Sequence, residues 1–176
     1  MLRELSITHF ALIDELRVEF GAGLNVLTGE TGAGKSISVD AIGLLLGERA
    51  GADLIRSGCD RLVVEAQFDL SRRADASGIL EAAGIAPSRP ADELVIRREV
   101  VAQEGATRGR VQVNGQLVTL AALKDLGEAL ADLHGQHQHQ SLLKAWGQRD
   151  ALDGFAHVLE LRSEVGEICR RLRALE

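Results

Sequence analysis

The chain has 176 residues, with 26 acidic and 20 basic side chains and a formal net charge of -6. Aliphatic residues dominate its 45% apolar fraction and aromatics make up only 3%, so it can bury a core and is no disordered acidic tail. The charge also excludes a generally basic nucleic-acid module: contact with phosphate would need a local basic patch. Cys59 and Cys169 alone supply neither a disulfide framework nor a zinc cage. No apolar stretch has signal-peptide or bilayer-spanning length. The expectation is a soluble, cytoplasmic protein with no membrane partner.

Leu5, Ile7 and His9 alternate with polar residues, as do Leu16, Val18 and Phe20, which predicts two half-buried antiparallel strands. Leu24-Asn-Val-Leu-Thr28 is more uniformly apolar and predicts a short strand buried on both faces. A helical period over Ile37, Ala41, Leu44 and Leu45 ends at Gly47, a natural stop. Alternation returns over 62–70 and 94–101. Between them a short helix is expected near 75–83, followed by a linker at Pro87–Pro90. Asn114-Gly115 supplies the positive φ angles of a two-residue hairpin turn. Thr119 is placed as the N-cap of a helix with Leu120, Leu123, Leu126, Leu130 and Leu133 on one stripe. Leu161, Val165, Ile168, Leu172 and Leu175 follow a heptad spacing that runs to the end of the sequence, as at the start of a coiled coil.

The chemistry is concentrated in Gly29-Glu30-Thr31-Gly32-Ala33-Gly34-Lys35-Ser36, which satisfies every fixed position of the phosphate-loop pattern. The glycines let successive backbone N–H groups converge on a phosphate. Lys35 is placed to reach the terminal phosphates and the Ser36 hydroxyl to bind Mg²⁺, while the following helix adds its positive dipole end. A chain that reads guanine would need Asn-Lys-x-Asp, and neither Asn25 nor Asn114 precedes a lysine. Asp75-Ala-Ser-Gly78 fits a cheap D-x-x-G pattern and has no companion. Phe10-Ala-Leu-Ile-Asp14-Glu15 imitates the acidic strand motif of a hydrolase, yet it lies before the loop, in a turn between two strands. No acidic strand follows the loop, and no Gly-Gly pair exists to build an ABC signature.

Leu5–Phe10, Val18–Phe20, Gly23–Thr28, the phosphate loop, Ser38–Ile42, Leu46-Gly-Glu-Arg49, the Asn114-Gly115 hairpin and Leu133-His-Gly-Gln-His-Gln-His-Gln140 together resemble the N-terminal half of SMC-type ATPase heads. The likeness is strongest to a DNA-repair branch of that group. It implies an α/β fold: the phosphate-loop NTPase core of an ABC-type head lobe (residues 1–148), an antiparallel β-subdomain, and a helix (149–176) that begins a coiled coil. It implies ATP with Mg²⁺ as cofactors. The partners it implies are the C-terminal half of the same protein, a second head in a homodimer, and DNA at the nucleoid. Because the second-half motifs are missing here, ATP turnover is expected of the full-length protein and not of residues 1–176 alone.

Two further site residues follow from the same resemblance. Gln136 is favoured over Gln138 and Gln140 as the amide presented to Mg²⁺ and the attacking water, and Arg56 is placed near the nucleotide or DNA. A zinc site at His134, His137 and His139 would need a distant fourth ligand. Arg97, Arg98, Arg108 and Arg110 form either a local phosphate-tracking patch or, as favoured here, a solvated sheet face. A stand-alone phosphoryl-transfer enzyme and a nucleotide-stabilised structural module are the alternatives from other classes.

Overall fold

In the computed structural model, which describes residues 1–29, 34–73, 76–82, 84–85, 92–103, 106–131, 133 and 145–175, the first two predicted strands form a hairpin. These are β1 (Leu2–Phe10) and β2 (Ile13–Glu19). With β3 (Arg61–Asp69), β4 (Glu93–Gln103), β5 (Ala106–Val113) and β6 (Gln116–Val118) they make one six-stranded sheet of order β2-β1-β3-β4-β5-β6. Every neighbouring pair is antiparallel. The β5–β6 turn carries positive φ at both Asn114 (50°) and Gly115 (77°), as its sequence predicts,. Asn114 also docks on β4, its Oδ1 accepting from Val95 N–H at 3.0 Å.

Period-2 alternation decides which face is buried. Leu5 and Ile7, then Leu62, Val64, Ala66 and Phe68, then Leu94, Ile96 and Val100, then Val111 and Val113 share a buried cluster with Ala41, Leu44 and Leu45 of α1 (Lys35–Leu45) and Leu123 and Leu126 of α3 (Leu120–Leu130). Thr119 caps α3 as expected, its hydroxyl accepting from Ala122 N–H at 3.1 Å. The short α2 (Ala76–Ala82) lies between β3 and β4 in sequence. The opposite face of the sheet carries exposed ion pairs, among them Arg97 with Glu65 (2.9 Å) and Arg61 with Glu99 (3.5 Å). Pairs of this kind contribute at most about 1 kcal/mol each.

Two expectations are corrected here. Residues 24–28 form no strand: Leu24, Val26 and Leu27 are 90%, 71% and 47% exposed. An apolar run becomes a strand only where neighbours take up its backbone N–H and C=O groups, and no described residue pairs with this one. Asn25 shapes a loop instead, bonding Gly21 N–H (2.9 Å) and the carbonyls of Gly21 (3.0 Å) and Gly23 (3.2 Å). The basic cluster also divides. Arg98 points into the core while Arg97 points out, so those two cannot share one patch.

At the sheet margin Asp69 accepts from Ser71 N–H (2.9 Å) and from Arg3 Nε (3.0 Å). The Ser71 hydrogen bonds, helped by Arg3, hold its carboxyl well below the usual carboxylate range. A depressed carboxylate pKa stabilises the fold above the unfolded value of 3.8, and that contribution disappears as pH falls through the folded value,. Asp69→Asn is therefore expected to melt below the parent protein at pH 7. The gap should close progressively below pH 3.8 in melts taken across a pH series.

The chain divides into two units, 1–131 and 132–176. The second contains α4 (Ala145–Phe155) and α5 (Leu159–Arg173), with Arg162 Nη1 bonded to Asp150 and, at 3.2 Å, to Asp153. The heptad residues Leu161, Val165, Ile168, Leu172 and Leu175 are all exposed. Among the described residues no helix is long and apolar enough to cross a membrane.

Candidate nucleotide-binding site

The helix α1 starts as an anion site should. Its N-cap is Gly34, whose φ of 87° is left-handed, and no side chain among the described residues caps it. A β-branched or bulky residue would be strained at that angle. The first intrahelical bond is Ser38 N–H to the Gly34 carbonyl (3.0 Å), so the N–H groups of Lys35, Ser36 and Ile37 precede the helical ladder at the open end of the helix. Together with the aligned helix dipole, they favour a negative group at this end.

Lys35 Nζ donates to the Gly29 carbonyl, which joins the first and last parts of the loop. Ser36, in the first turn, is exposed. Its hydroxyl is the oxygen ligand that a hard cation such as Mg²⁺ requires. Ser38, which the sequence pattern did not single out, is 4% exposed and turns its Oγ back to the Gly34 carbonyl at 3.1 Å. That local bond doubles the hold on the αL residue, and its sequence signal is a Ser four residues after a glycine at a helix start. Glu30, Thr31, Gly32 and Ala33 lie outside the described residues.

The β1–β2 turn stands beside the loop, because a Cβ on Gly34 would lie 3.7 Å from Ile13 Cδ1. Arg56 fastens that turn. Its Nη1 donates to the Leu12 carbonyl at 2.7 Å, its Nε lies 3.6 Å from Asp14 Oδ1, and its own N–H donates to the His9 carbonyl at 2.9 Å. His9 Nε2 approaches the same Asp14 oxygen at 3.6 Å. At the end of β1 and in the turn after it, His9 and Ala11 hold positive φ (54° and 48°), a conformation that non-glycine residues keep only under tertiary constraint. Asp14, the imitation of a hydrolase acid, is thus an ion-pair partner at the turn. The structure therefore brings Gly29, Gly34, Lys35 and Ser36 together, with Arg56 bonded to the adjoining turn. Gln136, Gln138, Gln140, His134, His137 and His139 lie outside the described residues. Among the described residues no cluster of His, Cys, Asp and Glu could hold a metal ion.

A glycine-rich sequence opening a helix, with its lysine bonded to Gly29, marks a phosphate-loop ATPase-type domain. Comparison with known families agrees: the AAA domain matches residues 4–145, and the chain belongs to that family. It is 44% identical over 178 residues to the DNA repair protein RecN of Halalkalibacterium halodurans, covering 100% of this chain and 31% of that one. It is 44% identical to RecN of Bacillus subtilis (89% of this chain, 26% of that one) and 42% identical to RecN of Vibrio cholerae (89% and 27%). The chain thus spans less than a third of the length of these relatives. Among solved structures, the recombination mediator protein RecF-ATPrS in the RecFOR pathway shares the fold over 70% of this chain and 29% of its own, with TM-score 0.53 and 18% identity.

Proposed function

We propose that this chain is the ATP-binding lobe of an ABC-type, RecN-like head that acts in DNA double-strand-break repair. The observation that carries the reading is the start of α1: a left-handed Gly34 at the helix N-terminus and Lys35 closed onto Gly29. The reading assigns the N–H groups of residues 29–36 and the Lys35 ammonium to the phosphates, and the Ser36 hydroxyl and Gln136 amide to Mg²⁺. Bound Mg²⁺ neutralises charge on the β- and γ-phosphates. Gln136, as a neutral amide, would orient the attacking water, and Arg56 would present its charge beside the nucleotide or DNA. The resemblance to RecN proteins, which are DNA repair proteins, supports DNA repair as the setting.

Under this reading residues 1–148 are the head lobe and 149–176 begin a coiled coil. The exposed Leu24, Val26 and Leu27 form the surface that the C-terminal half of the same protein covers. Their burial there would convert the loop at 24–28 into the strand its sequence calls for. Two heads then sandwich ATP as a homodimer, and hydrolysis resets their engagement of DNA.

Calorimetry of the 176-residue chain with Mg-ATP is the direct test, and binding heat is expected. Its absence, at protein concentrations that register millimolar affinity, overturns the proposal. Turnover is expected only from the full-length protein, and Gln136→Ala there should lower it at least about tenfold, in line with the loss of a group that positions a reactant. Unchanged turnover removes Gln136 from the mechanism.

A further inference from the structure

The far end of α1 carries a charge that nucleotide binding does not directly use. The inward face of β4 reads Leu94, Ile96, Arg98, Val100, and Arg98 is only 3% exposed. It pairs with Val64 of β3 and Val111 of β5, in the interior of the sheet. Its Nη1 donates to the Leu44 carbonyl at 2.6 Å and to the Glu48 carbonyl. Leu44 belongs to the last turn of α1, and Glu48 follows just beyond the C-cap Leu46. Nε has no hydrogen-bond partner among the described residues. Burial lowers the guanidinium pKa below its ordinary value, opposed by the Glu48 carboxylate.

A buried cation with one donor unmet adds little net stability for the desolvation it costs. Its contribution is geometric. The apolar contacts of Ala41, Leu44 and Leu45 are non-directional and tolerate sliding, whereas hydrogen bonds to two carbonyls at the helix exit do not. An 11-residue helix is a rod of about 16 Å,. Whatever fixes Leu44 along the helix axis therefore also fixes Lys35 and Ser36. The other end of the rod has a sheet reference as well, because Gly34 abuts Ile13 of β2.

We propose that Arg98 is a positioning residue for nucleotide binding: by tying the exit of α1 to β4, it sets where Lys35 and Ser36 stand relative to Gly29. This inference rests on the phosphate-loop reading above.

The test is titration of the full-length protein with the fluorescent nucleotide mant-ATP plus Mg²⁺, beside thermal melts, for the wild type and for Lys35→Ala, Arg98→Met and Arg98→Lys. Arg98→Met, which takes the donor from two carbonyls, should melt somewhat lower, and its folded fraction should bind about tenfold more weakly. Arg98→Lys, whose ammonium can serve both carbonyls, should recover most of the affinity. A purely structural role would move the melt and leave the affinity of the folded fraction alone, and that result overturns the proposal. So does wild-type affinity in a folded Arg98→Met. Should Arg98→Met fail to fold, Arg98→Gln takes its place under the same criteria. If the wild type and Lys35→Ala bind alike, the phosphate-loop reading itself has failed and this inference falls with it. If they differ while Arg98→Met binds as the wild type does, only the positioning role is lost.

Discussion

Lys35→Ala in the full-length protein is expected to weaken Mg-ATP binding about 100-fold or more while moving the melting temperature by no more than about 4 °C. Lys35 Nζ meets the Gly29 carbonyl. That contact is solvent-exposed, so water competes for it and its loss costs on the order of 1 kcal/mol, a shift of at most about 4 °C. Against phosphate the same ammonium makes charge-assisted bonds of roughly 1.5–3 kcal/mol each. Two of them account for the 100-fold, at 1.4 kcal/mol per decade. The two effects therefore separate cleanly in paired measurements, nucleotide titration against thermal melting. A variant that melts much lower and binds nucleotide normally would mean that Lys35 is a loop clasp and nothing more. Lys35→Arg is a useful companion: a planar fork cannot replace a compact ammonium inside a tight loop, so it too should bind poorly.

Local features translate from sequence most faithfully because their cause is local. Gly34 before Lys35, Thr119 before α3, and Asn114-Gly115 between β5 and β6 each adopt the backbone their chemistry demands. The parity of β4 could also have been read further. Arg98 falls on the even positions shared by Leu94, Ile96 and Val100, which places it inside, while Arg97 falls on the odd, charged face. Grouping the arginines by proximity in sequence hid that difference. Residues 24–28 fail for another reason. Their composition states a demand for burial, but whether the demand is met depends on chain segments that pair with them, and the described residues offer none. Arg56 shows a third limit. Its resemblance-based place near nucleotide said nothing about the Leu12 carbonyl 44 residues earlier in the chain, and that contact shapes the turn beside the loop.

Gly127→Ala sets two rules against each other, and the geometry decides the sign. In a helix interior, Gly to Ala ordinarily stabilises by roughly 1 kcal/mol. At Gly127 of α3, however, a Cβ would stand 2.8 Å from both the carbonyl carbon and the Cα of Leu46, and closer still to its oxygen. The obstruction is backbone, which cannot swing aside as a side-chain tip does. The fit is reciprocal: at Gly47, whose φ is 98°, a Cβ would come within 2.7 Å of Lys124 Cα. The exit of α1 and the body of α3 are thus interlocked through two glycines, flanked by the buried Leu123 and Leu126. Admitting a methyl group forces the helices apart and loosens that packing, a cost of roughly 1–3 kcal/mol or more. A net loss near 2 kcal/mol, about 4–8 °C in melting temperature, is expected. Gly166→Ala on α5 is the control, since among the described residues its Cβ would meet only Arg170 Nη1, at 3.7 Å. There the helix rule should prevail, with a gain of roughly 0.5–1 kcal/mol, visible as increased helical ellipticity. Opposite signs from one chemical change would locate the interlock. A Gly127→Ala protein that melts at or above the wild type would mean that α3 does not lie that close to α1.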